Sequence, residues 1–127
     1  MASLSRAYIC FFDTGSAELA PRCQDIILEF VARWHRTQRG EERAWPDGAL
    51  VPAHAMRVEV EGHADAAEAA AGEAAVSRAR AEAVAAFLRL NGVPADVVEV
   101  TAFGAQRLLV PTADAEPQDR RAQLFAK

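Results

Sequence analysis

Residues 56–90 place a strand pattern before a helix pattern, and this order constrains the fold more than any other feature of the sequence. Residues 56–61 alternate apolar and charged side chains with a period of two, as in a strand with one face on a core and one in water. After a loop over residues 62–72, whose alanines could alternatively extend the following helix, a second pattern places its apolar residues on one side of a helix. It runs to Leu90 and ends at Asn91-Gly92, a favourable helix stop.

The flanking segments extend this unit to the order β-α-β-α-β-β. Residues 8–12 form an apolar and aromatic run that predicts a buried strand, and a helix is expected to begin near Pro21. Residues 97–103 and 120–126 are expected strands, joined by a loop over residues 104–119. This order predicts an α/β fold, a small mixed β-sheet with helices packed on one face.

The length and composition allow one hydrophobic core. The chain has 127 residues, of which 51% are hydrophobic and 25% charged, so residues 1–127 are expected to form a single domain. Residues 36–55 interrupt the apolar pattern with glycine and proline and predict a long exposed loop. Trp45 in that loop is expected to anchor it on the body of the domain, with a contact to a partner as the alternative.

Several classes of protein do not fit the sequence. A formal net charge of −4 argues against a nucleic-acid binder. No apolar run approaches the length of a membrane span, and residues 1–6 do not form a secretory signal. Any export signal or membrane anchor is therefore expected on a segment outside this chain. Cys10 and Cys23 are expected to be two small buried thiols, with a bridge between them as the alternative.

One arginine stands out on the second helix. On a helical wheel Val76 and Val84 lie about 40° from Arg80 on either side, and Phe87 lies about 20° away. Arg80 is therefore in the middle of the apolar face and requires an anion, because an arginine is rarely buried without a partner.

The candidate anion is Asp65, which follows the second strand where open α/β sheets often bind ligands. Asp65 and Arg80 could form an internal salt bridge. Alternatively they could stand apart and bind a zwitterion, with the carboxylate taking an ammonium and the guanidinium taking a carboxylate. The spacing alone leaves both arrangements open.

Five short motifs resemble, in order and spacing, the OmpA C-terminal-like family. Gly-His-Ala-Asp at residues 62–65 and Val-Ser-Arg-Ala-Arg-Ala at residues 76–81 are similar to the family's turn and helix motifs. Residues 12–19, 91–95 and 118–121 resemble its first strand and turn, its helix-to-strand link and its closing strand. The likeness covers nearly the whole chain.

The resemblance implies a domain that binds peptidoglycan non-covalently and anchors an envelope protein in the periplasm or at the outer membrane. It assigns to Asp65 and Arg80 the ammonium and carboxylate of diaminopimelate in the stem peptide. It places Arg120 in the same pocket and implies backbone contacts from Thr14 and Gly15. Any membrane contact is expected only through a segment absent from this chain.

Four positions depart from the family pattern, one of them Gly72 in place of a tyrosine. Ala64 replaces a threonine, which removes a hydroxyl but keeps the backbone N–H. Glu73 and Asp119 replace asparagines. On the wheel Glu73 lies about 20° from Arg80, within reach as a competing carboxylate. Added acid near the pocket is expected to weaken the grip of Arg80 on a ligand carboxylate.

Two other functions compete with cell-wall binding. A catalytic or metal-binding interpretation would use His63 and Asp65 with His35 or His54, but no nucleophile motif or phosphate loop accompanies them, so no enzyme, cofactor or metal is expected. The stronger rival is a degenerate family member that binds an envelope protein instead of the wall.

Overall fold

The structure is a computed structural model that describes residues 8–41, 45, 56–73 and 75–127. Its elements are β1 (Ile9–Phe11), α1 (Pro21–Gln38), β2 (Val58–His63), α2 (Ala66–Ala70), α3 (Val76–Leu90), β3 (Val98–Ala102) and β4 (Arg121–Ala126). The 3-10 turn Ala95–Val97 leads into β3. None of the described helices is both long enough and apolar enough to cross a membrane.

The four strands form one mixed sheet in the order β1-β4-β2-β3. Strands β2 and β3 are parallel, and β4 is antiparallel to both β1 and β2. Helix α3 makes the crossover between the parallel strands and packs on the sheet, while α1 contacts β1 and α3. The predicted fold class is confirmed.

The core lies between the helices and one face of the sheet, as the period-two pattern of β2 requires. Val58 and Val60 are fully buried there, whereas Glu59 and Glu61 point to the other face. Gly62 brings β2 and α3 together, because a Cβ at this position would overlap the Ser77 carbonyl. The close approach places the first turns of α3 against the carboxyl end of β2.

The predicted loops are partly wrong. Residues 66–70 form α2 instead of irregular loop, and Gly72 ends this segment with φ +80°. Helix α1 continues to Gln38, so the predicted loop over residues 36–55 begins later, and residues 42–44 and 46–55 lie outside the described residues. Trp45 is 4% exposed and lies 4.9 Å from the Phe30 ring, between ring centroids, which confirms its role as an anchor.

The expectation of two free thiols is wrong, because Cys10 and Cys23 form a disulfide. Cys10 faces the core from β1, and Cys23 lies in the first turns of α1 on its buried side. The packing of α1 on β1 brings the two residues together, and sequence spacing alone does not reveal this.

Reduction of the disulfide is expected to lower the free energy of unfolding by about 2–3 kcal/mol, because the bond closes a short loop in the unfolded chain. Urea titrations of protein refolded with and without reductant measure the change. The Cys10→Ala/Cys23→Ala double variant, which should not respond to reductant, is the control. An identical midpoint for oxidised and reduced wild type would contradict the expectation.

Candidate functional site

The candidate site lies at the carboxyl end of β2, where four segments meet. These are the turn after β1, the β2–α2 junction, the first half of α3 and the chain just before β4. The parallel pairing of β2 and β3 and the α3 crossover create this crevice, as in other open α/β sheets. The charged residues of the crevice form two adjoining networks, one around Arg80 and one around Asp65.

Arg80 is fully buried and all five of its N–H donors are used. Its Nε donates to the Ser16 carbonyl at 2.9 Å. Nη1 and Nη2 donate to the carbonyls of His63 and Asp13 at 2.9 and 3.0 Å. The remaining N–H of each Nη group donates to one oxygen of Glu68, at 2.8 and 2.6 Å. Arg80 therefore faces inward as predicted, and its counter-ion is Glu68.

The carboxylate of Glu68 is held by four donors. Besides the two bonds from Arg80, Oε1 accepts the Asp65 backbone N–H at 2.9 Å and Oε2 accepts the Gly15 backbone N–H at 2.8 Å. Four bonds match the acceptor sites of an ionised carboxylate. We call this arrangement of the Arg80 fork and the N–H groups of Gly15 and Asp65 the carboxylate seat.

Asp65 is the N-cap of α2 and the centre of the second network. Its Oδ1 accepts the Glu68 backbone N–H at 2.7 Å, which completes a reciprocal capping box. Its Oδ2 accepts the Glu116 backbone N–H and Nη1 of Arg120, both at 3.0 Å. Arg120 also donates from Nε to the Phe12 carbonyl at 2.9 Å, so the two networks share the turn after β1.

Solvent reaches this charged cluster through Arg120. The side chains of Arg80, Glu68 and Asp65 are each 0% exposed, whereas that of Arg120 is 11% exposed. Within residues 8–41, 45, 56–73 and 75–127, Arg120 donates from Nε and Nη1 and forms no hydrogen bond from Nη2. Arg120 is the cation of the crevice that can meet a ligand without rearrangement.

Both buried carboxyls are stabilised in their charged form. Burial acts to raise the pKa of Asp65, but hydrogen bonds from the Glu68 and Glu116 N–H groups and from Arg120 outweigh it and lower the pKa. Burial likewise acts to raise the pKa of Glu68, and the Arg80 fork with the N–H groups of Gly15 and Asp65 lowers it overall. The crevice therefore holds two ion pairs.

The structure corrects the expected gap between Asp65 and Arg80. Asp65 pairs with Arg120, Arg80 pairs with Glu68, and the Glu68 side chain fills the space expected for a ligand. The capping box starts helix α2 directly after Asp65. In this geometry the Glu68 side chain points toward the face of α3 that carries Arg80.

The predicted competitor, Glu73, does not bind Arg80, because Glu68 and three carbonyls use every donor of that arginine. Helix α3 begins at Val76, so the wheel position of Glu73 does not apply, and the residue is exposed. Asp119 does not approach Arg80 either. Its Oδ1 accepts the Leu109 and Val110 N–H groups at 2.7 and 2.9 Å.

The predicted backbone contacts fall into three cases. The Gly15 N–H lies in the carboxylate seat, and the glycine has φ +69°. Ala64 is fully buried and its N–H donates to the Gly104 carbonyl at 2.8 Å, which leaves no donor for a ligand. Thr14 is exposed in the turn after β1.

His63, the histidine of the catalytic or metal-binding interpretation, ends β2 and is 1% exposed. Its ring stacks on Phe103 at 5.3 Å between centroids, and Nε2 lies 3.3 Å from Glu61. Burial lowers the pKa of His63. In the described part of the chain, no group of three or more His, Cys, Asp or Glu side chains is placed to hold a metal ion.

Glu68 was missed in the sequence, although a signal for it exists. Asp65-Ala66-Ala67-Glu68 has the spacing of a capping box, which predicts a helix start at Ala66 and an inward Glu68. The segment around this short helix consists mostly of alanines, so it shows no periodic pattern of large apolar residues that would predict a helix.

The fold and the buried networks define a class of protein, a small α/β domain with a charged crevice at the carboxyl end of its central strand. A family model described as the OmpA family matches residues 48–122. The chain belongs to the OmpA family, as the resemblance of its motifs indicated.

Known proteins extend the comparison. An outer membrane protein of Gluconacetobacter diazotrophicus is 29% identical over an alignment of 129 residues, and the alignment covers 95% of this chain. The chain spans only 30% of the length of that relative. The peptidoglycan-associated lipoprotein of Burkholderia pseudomallei has the same fold, with a TM-score of 0.71, 20% identity, and coverage of 94% of this chain and 90% of that one. The cell wall anchor of the Pseudomonas aeruginosa T6SS aligns with a TM-score of 0.61, 18% identity, and coverage of 91% and 73%.

Acid is expected to weaken the fold through Asp65 and Glu68. Because folding lowers both pKa values, the unfolded chain binds more protons, and the stabilisation present above pH 4.5 is lost as the pH falls through the native pKa values. Urea midpoints measured between about pH 5 and about pH 3 should fall steeply for wild type and less steeply for Glu68→Gln. The exposed Glu82→Gln is the control, and equal slopes for wild type and Glu68→Gln would contradict this proton linkage.

Proposed function

We propose that this chain is a non-catalytic anchoring domain of the bacterial cell envelope that binds peptidoglycan through diaminopimelate of the stem peptide. Membership of the OmpA family supports the proposal. Two proteins of the same fold are a peptidoglycan-associated lipoprotein and a cell wall anchor. The domain would occupy residues 1–127 and act without a cofactor.

The carboxylate seat is the single observation that carries the proposal. Four N–H donors converge on one carboxylate at 2.6–2.9 Å, two from the Arg80 fork and two from the backbone of Gly15 and Asp65. Bidentate pairing with arginine is the strong, directional form of carboxylate recognition. The crevice therefore has the chemistry to take a carboxylate of diaminopimelate, provided that the Glu68 side chain moves out.

Asp65 and Arg120 supply the rest of the proposed contact. Asp65 accepts three hydrogen bonds, so one of the four acceptor sites of its buried carboxylate is left for a ligand ammonium once the Glu68 side chain has moved out. Arg120 offers its Nη2 group at the solvent-exposed side of the crevice. Thr14 and the exposed Glu73 lie on segments that flank it and would contact the neighbouring peptide.

We propose that the domain works in the periplasm at the outer membrane. Its relative from Gluconacetobacter diazotrophicus is an outer membrane protein, and the Cys10–Cys23 disulfide suits an oxidising compartment. The matching relative is longer than this chain, and we propose that a segment outside this domain carries the export signal or anchor. Peptidoglycan is the proposed partner, and nucleic acid is not.

One observation favours a second candidate function, a protein-interaction module of the envelope. Because Glu68 already satisfies Arg80, the crevice could be a permanently closed structural centre. Trp45 would not then be the contact residue, since it packs against Tyr8 and Phe30 in the core.

Purified sacculi with diaminopimelate in their stem peptides separate the two functions. Wild type is expected to sediment with them at about 0.15 M salt and to be released by free diaminopimelate. Asp65→Asn and Arg120→Ala should lower the bound fraction at least about tenfold, because each removes a charge from the contact. Glu82→Gln, on the exposed face of α3, is the matched control.

Wild type that stays in the supernatant would contradict cell-wall binding and favour the interaction module. Equal sedimentation with sacculi that carry lysine in place of diaminopimelate would contradict only the diaminopimelate part of the proposal.

A further inference from the structure

We infer that Glu68 is an intramolecular competitor that occupies the ligand's carboxylate position and thereby sets the affinity of the site. This inference rests on the proposed function and assigns a specificity-determining role to a residue outside the predicted contact set. The Glu68 side chain, the Arg80 fork and the N–H groups of Gly15 and Asp65 are its physical basis.

The chemistry of the seat does not distinguish Glu68 from a ligand. A glutamate side chain and the carboxylate of a free amino acid present the same two oxygens with the same charge. When the Glu68 side chain leaves, the two Nη donors and the two backbone N–H groups become available together. A ligand carboxylate can accept all four bonds, so Arg80 is paired both before and after the exchange.

Competition by exchange avoids the usual cost of opening a buried ion pair. Removal of one partner from such a pair leaves an uncompensated buried charge, which is strongly destabilising. Here the incoming carboxylate compensates Arg80, and the departing Glu68 gains hydration. The affinity is then set by the effective concentration of the tethered Glu68 carboxylate, which is at least in the millimolar range for short tethers.

The position of Glu68 on α2 allows the exchange. This helix has five residues, Ala66–Ala70, too few to be stable without its cap and tertiary contacts. Two of those contacts come from the Glu68 side chain itself, to the N–H groups of Asp65 and Gly15. Displacement of this side chain therefore removes part of what holds α2 and gives the segment freedom to move aside.

Acetate is the probe that tests the seat independently of the cell wall. In 15N-labelled Glu68→Ala, acetate should produce saturable shifts of the Gly15 and Asp65 amides and of the Arg80 Nε–H. Its apparent affinity should be at least about tenfold higher than for wild type, because the tethered competitor is gone. Glu82→Ala, which removes an exposed glutamate, should behave as wild type.

Glu68→Gln covers the case in which the alanine variant does not fold. Its amide group keeps the volume of Glu68 but turns an NH2 group toward two donors of the seat, so acetate should displace it more readily than it displaces Glu68. If Glu68→Ala folds only in the presence of acetate, the dependence of folding on acetate concentration measures the same binding.

Folded Glu68→Ala or Glu68→Gln whose seat amides do not respond to acetate would overturn the inference. Failure of both variants to fold at saturating acetate would also overturn it, because acetate could not then replace the Glu68 carboxylate. If the variants bind acetate while neither they nor wild type sediment with sacculi, the proposed function fails and the competitor role stands. If wild type sediments with sacculi but acetate does not shift the Gly15 and Asp65 amide signals of the variants, only the inference fails.

Discussion

The buried ion pair between Arg80 and Glu68 is the interaction on which the rest of the site depends. It is fully inaccessible to solvent, and the same guanidinium also bonds the carbonyls of Asp13, Ser16 and His63. One side chain of α3 thus fixes the turn after β1, the end of β2 and helix α2. A guanidinium buried this deeply is tolerated only with a full set of acceptors, so these segments must assemble together.

The second network follows from the first. The Glu68 carboxylate bonds the Asp65 N–H, the Asp65 carboxylate caps the backbone of Glu68, and its other oxygen takes Arg120. Arginine pairing and backbone N–H groups thus hold two carboxylates side by side. Relative to the expected open pocket, this member of the OmpA family holds a carboxylate of its own where a ligand is expected. This arrangement connects the proposed cell-wall binding to the inferred competitor, the Glu68 carboxylate.

Much of the fold could be predicted because the pattern of burial is local. The alternation in β2 and the apolar face of α3 determine which side chains point inward, and Arg80 is inward as its wheel position indicates. Its counter-ion could not be chosen in the same way. The wheel position of Glu73 assumes a helix that starts before Val76, but α3 begins at Val76, and the capping box brings the Glu68 side chain to Arg80 instead. The disulfide was missed for a similar reason, since only the packing of α1 on β1 brings Cys10 and Cys23 together.

The occupancy of the carboxylate seat in solution tests the account most directly, and the side-chain resonances of Arg80 report it. In wild type at neutral pH, a guanidinium held by five acceptors should give a slowly exchanging Nε–H and separate Nη proton signals, because rotation about its C–N bonds is blocked. These signals should lose their protection in Glu68→Ala without acetate. Averaged, rapidly exchanging Nη signals in the wild-type protein would contradict the claim that Glu68 fills the seat.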